Sequence, residues 1–389
     1  MTTTLSTINN RINDRRRDSG SNSIDMTGDG FRAINGTLEI WNTIHDWVWQ
    51  EEKQTIQYNE GIDTYTVNSN YKAPIDLRPQ KGSSPVEFEM MSPNKFDSRT
   101  VVPYRWAFPV VDRSQRTRIK YTGNKATIHT ASKFDSDGTW TAGTGATNVS
   151  TDLYESVEGA GSVKFDSSAA TTIIVSVEGF SAIDLQRFED RSNVYFNLHL
   201  PTVTNITSVA LKYGSSSSDY WSQTVTTDYL GDAFVADEWM KIKIDGWDTE
   251  TGTPDASAVD YLEVTLVYSG STTATSFRIE NFFASENIPL TMEYYSNDMV
   301  TDISATDTRT AIFNDSGATG DIPLWSGQWD HVTETFITNV LDPIFFMTGE
   351  YADMNISAQK ALSITQELRA RHPSRRRYPL HQIVPDINF

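Results

Sequence analysis

Between residues 134 and 286 apolar and polar residues alternate with a period of two in one segment after another, and no helix-period stretch intervenes. Ser162-Val163-Lys164-Phe165, Thr172 to Val177, Val194 to Leu200, Ser208 to Tyr213, Trp239 to Ile244, Tyr261 to Tyr268 and Phe277 to Phe282 each read as a strand. Loops rich in Ser, Thr, Gly and Asp separate them. A strand of this kind is apolar on one face only, so many in series must close two sheets over one core. The segment is therefore expected to be an all-β sandwich of ordinary domain size, about 150 residues.

The flanks follow another rhythm. Leu5, Ile8 and Ile12 sit at helical spacing, and Arg15-Arg16-Arg17-Asp18 follows. A second helix is expected to start near Asp25 or Thr27, with Phe31, Ile34, Leu38, Trp41 and His45 on one stripe. From residue 54 short strands take over: Gln54 to Tyr58 and Thr64 to Val67 as a hairpin, then segments near 77, 88, 106 and 119. After 287 the strand Leu290 to Tyr295 is followed by a helix over 327–346, where Pro343 should kink or end it. A last helix over 350–371 carries Met354, Ala358, Ala361, Thr365 and Leu368 as a narrow seam. The expected fold class is α+β, a helical domain with a small β element interrupted by an inserted sandwich. The expected boundaries are 1–133, 134–286, 287–372 and an extended basic arm over 373–389.

Composition narrows the function. The 389 residues suggest two or three domains. No cysteine is present, which excludes disulfides, thiol catalysis and cysteine-ligated metals. No apolar run is long enough for a transmembrane helix, and the first residues lack a signal-peptide core, so no membrane role is expected. The sequence holds no H-E-x-x-H, G-x-S-x-G, Walker or dinucleotide motif, and its six histidines form no ligand-spaced pair. No enzyme activity, cofactor or metal is expected. Asp135-Ser136-Asp137-Gly138 has the start of a calcium loop but lacks its later acidic ligand, and reads as a turn.

Two sets of residues carry functional alternatives. Trp140, Tyr220, Trp221, Trp239 and Trp247 lie near loops or strand ends. Aromatic faces there can stack on sugars, while the same residues can equally fill a core; Tyr220 and Trp221 are the glycan-binding candidates. Arg369, Arg371 and Arg375 to Arg377, with Tyr378, make the C-terminal stretch basic. They serve either helix capping and solubility or docking on an acidic partner or near DNA.

The order of the terminal segments resembles tailed-phage head–tail adaptor (connector) proteins. The resemblance rests on Asn13 to Asp18, the helix Phe31 to Ile44 leading to Trp47-Val48-Trp49-Gln50, the hairpin Thr55 to Val67, Ala73 to Leu77, Met91 to Asp97, Thr117 to Gly123, and Leu290 to Tyr295 with two closing helices. It implies a structural virion protein at the head–tail interface, assembled in the host cytoplasm. The implied ring, usually of about twelve copies, joins portal to tail or neck proteins and leads DNA through its lumen without sequence-specific contact. Ring packing then falls to Phe31, Ile34, Leu38, Trp41, Met354, Ala358, Ala361 and Leu368, and portal contact to Arg369, Arg371, Arg375, Arg376, Arg377 and Tyr378. The insert resembles jelly-roll carbohydrate-binding or laminin-G-like modules at Gly161 to Phe165, Trp239 to Ile244 and Phe277 to Phe282. That resemblance implies an outward decoration, with glycan as a further partner, and an alternative role as a carbohydrate-binding virion or cell-surface adhesion protein. Of the net charge of −19, the insert holds 7 basic against 23 acidic residues. Its field therefore opposes contact with phosphate, while the near-neutral ends carry no such bar.

Overall fold

In a computed structural model the chain forms two compact units that interleave along the sequence, residues 1–55, 67–78 and 291–389 in the first and residues 56–66 and 79–290 in the second. The structure describes residues 3–18, 24–59, 62, 64–79, 89–91, 105–111, 117–122, 128–132, 139–157, 160–245, 247, 249–303, 308–314, 316–317, 320–327, 329, 331–348 and 351–373.

The second unit contains the sandwich. One six-stranded sheet runs Trp239–Ile244, Ser192–His199, Phe277–Glu286, Ser162–Ser167 and Ala146–Asp152, with Ile128–Ser132 also paired to Phe277–Glu286. The other runs Glu250–Thr251, Tyr220–Val225, Ile206–Gly214, Val259–Thr272, Ala170–Ile183 and Thr141–Ala142. All these pairs are antiparallel, and the chain crosses repeatedly from one sheet to the other in jelly-roll fashion. Alternation dictates what lies between them. Val163, Phe165, Val194, Phe196, Leu198, Ile242 and Ile279 from the first sheet meet Ile173, Val175, Val209, Leu211, Tyr213, Val264 and Leu266 from the second in one buried core. Each such side chain stabilises the fold by about 1.5–3 kcal/mol relative to exposure. The same unit carries a smaller sheet of Thr64–Thr66, Thr117–Thr122, Arg105–Val111 and Glu89–Met91.

The first unit is built on four helices: α1 (Leu5–Asp18), α2 (Asp29–Ile44), α3 (Val332–Thr348) and α4 (Tyr351–Arg371). Helix α2 starts later than expected because Asp25 turns back on its neighbour, its Oδ1 accepting from both the Thr27 amide and hydroxyl. Pro343 lies inside α3, which continues to Thr348. Leu5, Ile8 and Ile12 of α1, Ile34, Leu38 and Trp41 of α2, and Val332, Phe336, Ile337 and Val340 of α3 share one core. At its centre Trp41, Trp47, Trp49, Trp325 and Phe336 form a chain of ring contacts. Two three-stranded sheets, one centred on Ile288–Ser296 and one on Val300–Asp302, complete the set around these helices.

The expected fold class is corrected by this architecture. Strand accounts for 44% of the chain and helix for 21%, so the protein is predominantly β, and it is not a helical domain interrupted by an insert. The strong 3.6-residue stripes at the two ends are real, but among the described residues they mark four α-helices, while the regular structure between residues 51 and 323 is strand. The second unit also takes in residues 79–133, which the sequence alone groups with the ends.

Candidate functional site

The outer face of the Tyr220 sheet is the most chemically furnished surface of the sandwich. Side chains alternate across a strand, so adjacent Tyr220 and Trp221 point to opposite sides. Trp221 goes inward and is fully buried, its ring 5.6 Å from Tyr213 and 5.0 Å from Trp247, with its Nε1 donating to Glu250 Oε1 at 3.3 Å. It has no face to offer a ligand, which corrects its assignment as a glycan contact. Trp247 is buried in the same core, and Trp140 packs against it. Trp239 lies on the other sheet, edge-on to His199.

Tyr220 stays outside, half-buried. The register sets its neighbours: Gly214 is opposite both Tyr220 and Tyr261 on the two flanking strands, and Lys212 is opposite both Ser222 and Glu263. Because Gly214 carries no side chain, nothing stands between the two tyrosines, and their ring centroids are 6.4 Å apart. A Cβ at Gly214 would meet the Asp219 carbonyl oxygen at 2.2 Å and the Tyr220 Cα at 2.5 Å.

Polar groups line up beside the rings. Lys212 Nζ lies 2.8 Å from Glu263 Oε1 and 4.9 Å from the centre of the Tyr220 ring. Tyr261 donates its hydroxyl to Glu263 Oε2 at 2.8 Å, and Thr265 Oγ1 donates to Glu263 Oε1 at 3.3 Å. Burial, joined by the adjacent Glu263 charge, pushes the Tyr261 phenol well up, so it remains a hydrogen-bond donor at any ordinary pH. Ser222, Thr224, Ala210 and Ser176 continue the same face with small side chains, and Ile174 and Glu178 with larger ones. The loop leading into Tyr220 is ordered by Asp219, which accepts from the Thr253 amide and the Ser216 hydroxyl. Those two bonds hold its carboxyl below the usual range.

Of this set sequence reasoning found Tyr220 but missed Tyr261, Lys212, Glu263 and Gly214. Their parity within each strand is visible in the sequence. Which strands lie side by side is not, because pairing is a property of topology.

The residues assigned to ring packing have other employment. Ile34, Leu38, Trp41 and Leu368 are buried in the chain's own helical core, Phe31 packs against that core, and Ala361 is buried too. They are therefore not the free stripe that a lateral interface would use. The side chains of Met354 and Ala358 lie outside the described residues, as do Arg375, Arg376, Arg377, Tyr378 and Asp135 to Gly138. Arg369 and Arg371 are exposed on α4, and Arg371 pairs with Glu367 one turn earlier. In α1, Arg15 bonds Thr338 and Glu334, Arg17 pairs with Asp14, and Arg16 sits over the Phe345 ring. Among the described residues no group of three or more potential ligands could hold a metal ion, and no helix is long and apolar enough to cross a membrane.

No protein-family model and no curated protein matches the chain. Solved structures do. A family 11 carbohydrate-binding module of a cellulosomal cellulase from Clostridium thermocellum aligns over 42% of this chain and 96% of its own, at 13% identity and a TM-score of 0.29. A family 30 module from the same organism aligns over the same shares at 14% identity and a TM-score of 0.29. A carbohydrate-binding module described as promiscuous in specificity, from the β-sandwich superfamily, aligns over 61% of this chain and 97% of its own, at 12% identity and a TM-score of 0.28. TM-scores this low assign nothing to this chain, and the sandwich stands on its own strand pairing. None of these structures is a virion connector, and the portal, tail and ring partners find no support among them.

Proposed function

We propose that the protein binds carbohydrate, without cleaving it, on the outer face of the Tyr220 sheet. The observation that carries this reading is the Tyr220–Tyr261 pair meeting across Gly214, with Lys212 and Glu263 beside it. The partly exposed Tyr220 ring offers an apolar face to the C–H side of a pyranose, with the buried Tyr261 ring backing it, while a carboxylate and an ammonium exchange hydrogen bonds with the sugar hydroxyls. The small side chains of Ser222, Thr224, Ala210 and Ser176 leave room for sugars to lie across the strands. A surface with so little positive charge suits a neutral glycan better than a polyanionic one.

The test is affinity electrophoresis of the full chain through gels containing soluble polysaccharides, followed by titration with oligosaccharides of the retained class. Tyr220→Ala should weaken binding about tenfold, which corresponds to about 1.4 kcal/mol. No retardation by any of a broad set of β-glucans, xylans, mannans and galactans would overturn the proposal.

A further inference from the structure

The first unit gathers three of the chain's six histidines around the end of α4. His372, one residue past the helix, still bonds through its amide to the Leu368 carbonyl at 3.0 Å. Its carbonyl oxygen lies 2.7 Å from His45 Nε2 at the end of α2, so that nitrogen of His45 carries the proton and donates. Its ring stacks on His331, just before α3, with centroids 5.7 Å apart and planes 25° from parallel. It also meets Trp49 at 5.8 Å, edge to face. His45 in turn meets Trp47 at 4.5 Å.

The charges facing this cluster come from every element around it. Arg369 and Arg371 lie on α4, with Glu367 engaged by Arg371. Lys72 reaches in from the strand Tyr71–Pro79, donating to the His45 carbonyl at 2.6 Å and pairing with buried Asp46 at 3.4 Å. Asp46, next to His45 in sequence, already holds Lys72. His372 has no such relief: its Nε2 is buried and has no hydrogen-bond partner.

We propose that the end of α4 is an acid-released latch, closed at neutral pH and opened when His372 takes up a proton. An imidazolium at His372 is a cation whose buried Nε2 has no acceptor and which lies near the Arg371 guanidinium. Burial, then His331, Arg371 and His45, all push the His372 imidazole below its ordinary value. His45 is lowered as well, chiefly by burial, although its bond to the His372 carbonyl opposes this.

The sign follows from linkage. The docked form has the lower imidazole pKa and binds fewer protons, so acid favours undocking. Opening begins below the free-imidazole value near 6.5 and grows by up to tenfold per pH unit for the one proton taken up by His372, levelling off below the docked pKa. Arg375, Arg376 and Arg377 follow α4 in sequence, so the latch lies just before the basic segment.

The experiment is hydrogen exchange on the full chain from pH 7.5 to 5, corrected for the intrinsic pH dependence of exchange, together with NMR titration of the histidine rings. Protection of the amides of residues 369–372 should fall by up to tenfold per pH unit below about 6.5. Amides in the sandwich strands should hold, and the His372 ring should titrate below the free value. His372→Gln, which keeps a polar ring-sized group without a titratable nitrogen, should flatten the acid phase, while His199→Gln in the sandwich should not. Protection unchanged down to pH 5 would overturn the proposal, as would simultaneous opening of the sandwich. So would an acid phase that survives His372→Gln, or a His372 midpoint at or above 6.5, which would mean that the Trp49 indole stabilises the charged ring.

Discussion

Tyr220 and Trp221 are neighbours in sequence and opposites in environment, and substituting each by alanine separates stability from binding. Trp221 is fully buried against Tyr213 and Trp247, and its indole N–H is bonded to Glu250. Removing a core tryptophan costs about 3–5 kcal/mol in lost transfer energy and residual cavity. Tyr220 is half-buried on the outer face, and its loss should cost no more than about 1.5 kcal/mol. With a urea dependence of about 2–3 kcal/mol per molar, Trp221→Ala should lower the unfolding midpoint of the sandwich by about 1–2.5 M and Tyr220→Ala by less than about 0.8 M. Far-UV circular dichroism in a urea series reads the first quantity, and oligosaccharide titration in native buffer reads the second. Tyr220→Ala should bind about ten times more weakly, whereas Trp221→Ala should bind normally under conditions where it remains folded. If Trp221→Ala keeps the wild-type midpoint and loses binding, the two residues face the other way and the site is misplaced.

Gly214→Ala should destabilise the sandwich and weaken glycan binding together, because its Cβ would strike the backbone at Asp219 and Tyr220; paired urea and titration measurements check this. Glu263→Gln should weaken binding while leaving the unfolding free energy within about 1 kcal/mol of wild type, since the amide oxygen still accepts from Tyr261. In the first unit, burial and the neighbouring Glu52 charge raise the Asp298 carboxyl, so its ionisation opposes folding at neutral pH. Asp298→Asn should raise the melting temperature at pH 7, with the gain vanishing in acid as wild-type Asp298 is protonated. Glu52 behaves oppositely. Burial pushes it up, but bonds from Arg309, Asn70 and Tyr294 outweigh that and hold it low. Glu52→Gln should therefore lower the melting temperature at pH 7 and converge on wild type as the pH falls through the lowered value.

The sandwich was legible from residues 162–282 because alternating strands with no helix between them leave few other solutions. The stripe Ile34, Leu38 and Trp41 was equally legible as a buried helix face. What it packs against was not: the same spacing serves an interface between copies or a core within one chain, and here α3 covers it from nearly 300 residues away in sequence. Trp221 was ambiguous for a related reason. Parity says that it opposes Tyr220, but only the inward position of Val209, Leu211 and Tyr213 on the paired strand fixes which side is the core. The predominance of strand was underestimated because the segments between 51 and 133 are short and interrupted by proline, so each reads as incidental although together they build sheet.

The interleaving of the two units has a consequence for a chain still emerging from the ribosome. The apolar faces of α1 and α2 find their cover in α3, which begins roughly 280 residues after Trp49. At about 5–20 residues per second, that cover arrives some 15–60 s later. The sandwich, whose strands end at Glu286, is complete before α3 exists. Folding during synthesis therefore runs from the middle outwards, with Ile34, Leu38, Trp41 and Trp47 waiting in the open. A chain stopped before residue 332 should hold a finished sandwich and an exposed tryptophan-rich stripe, the form in which a chaperone would meet it.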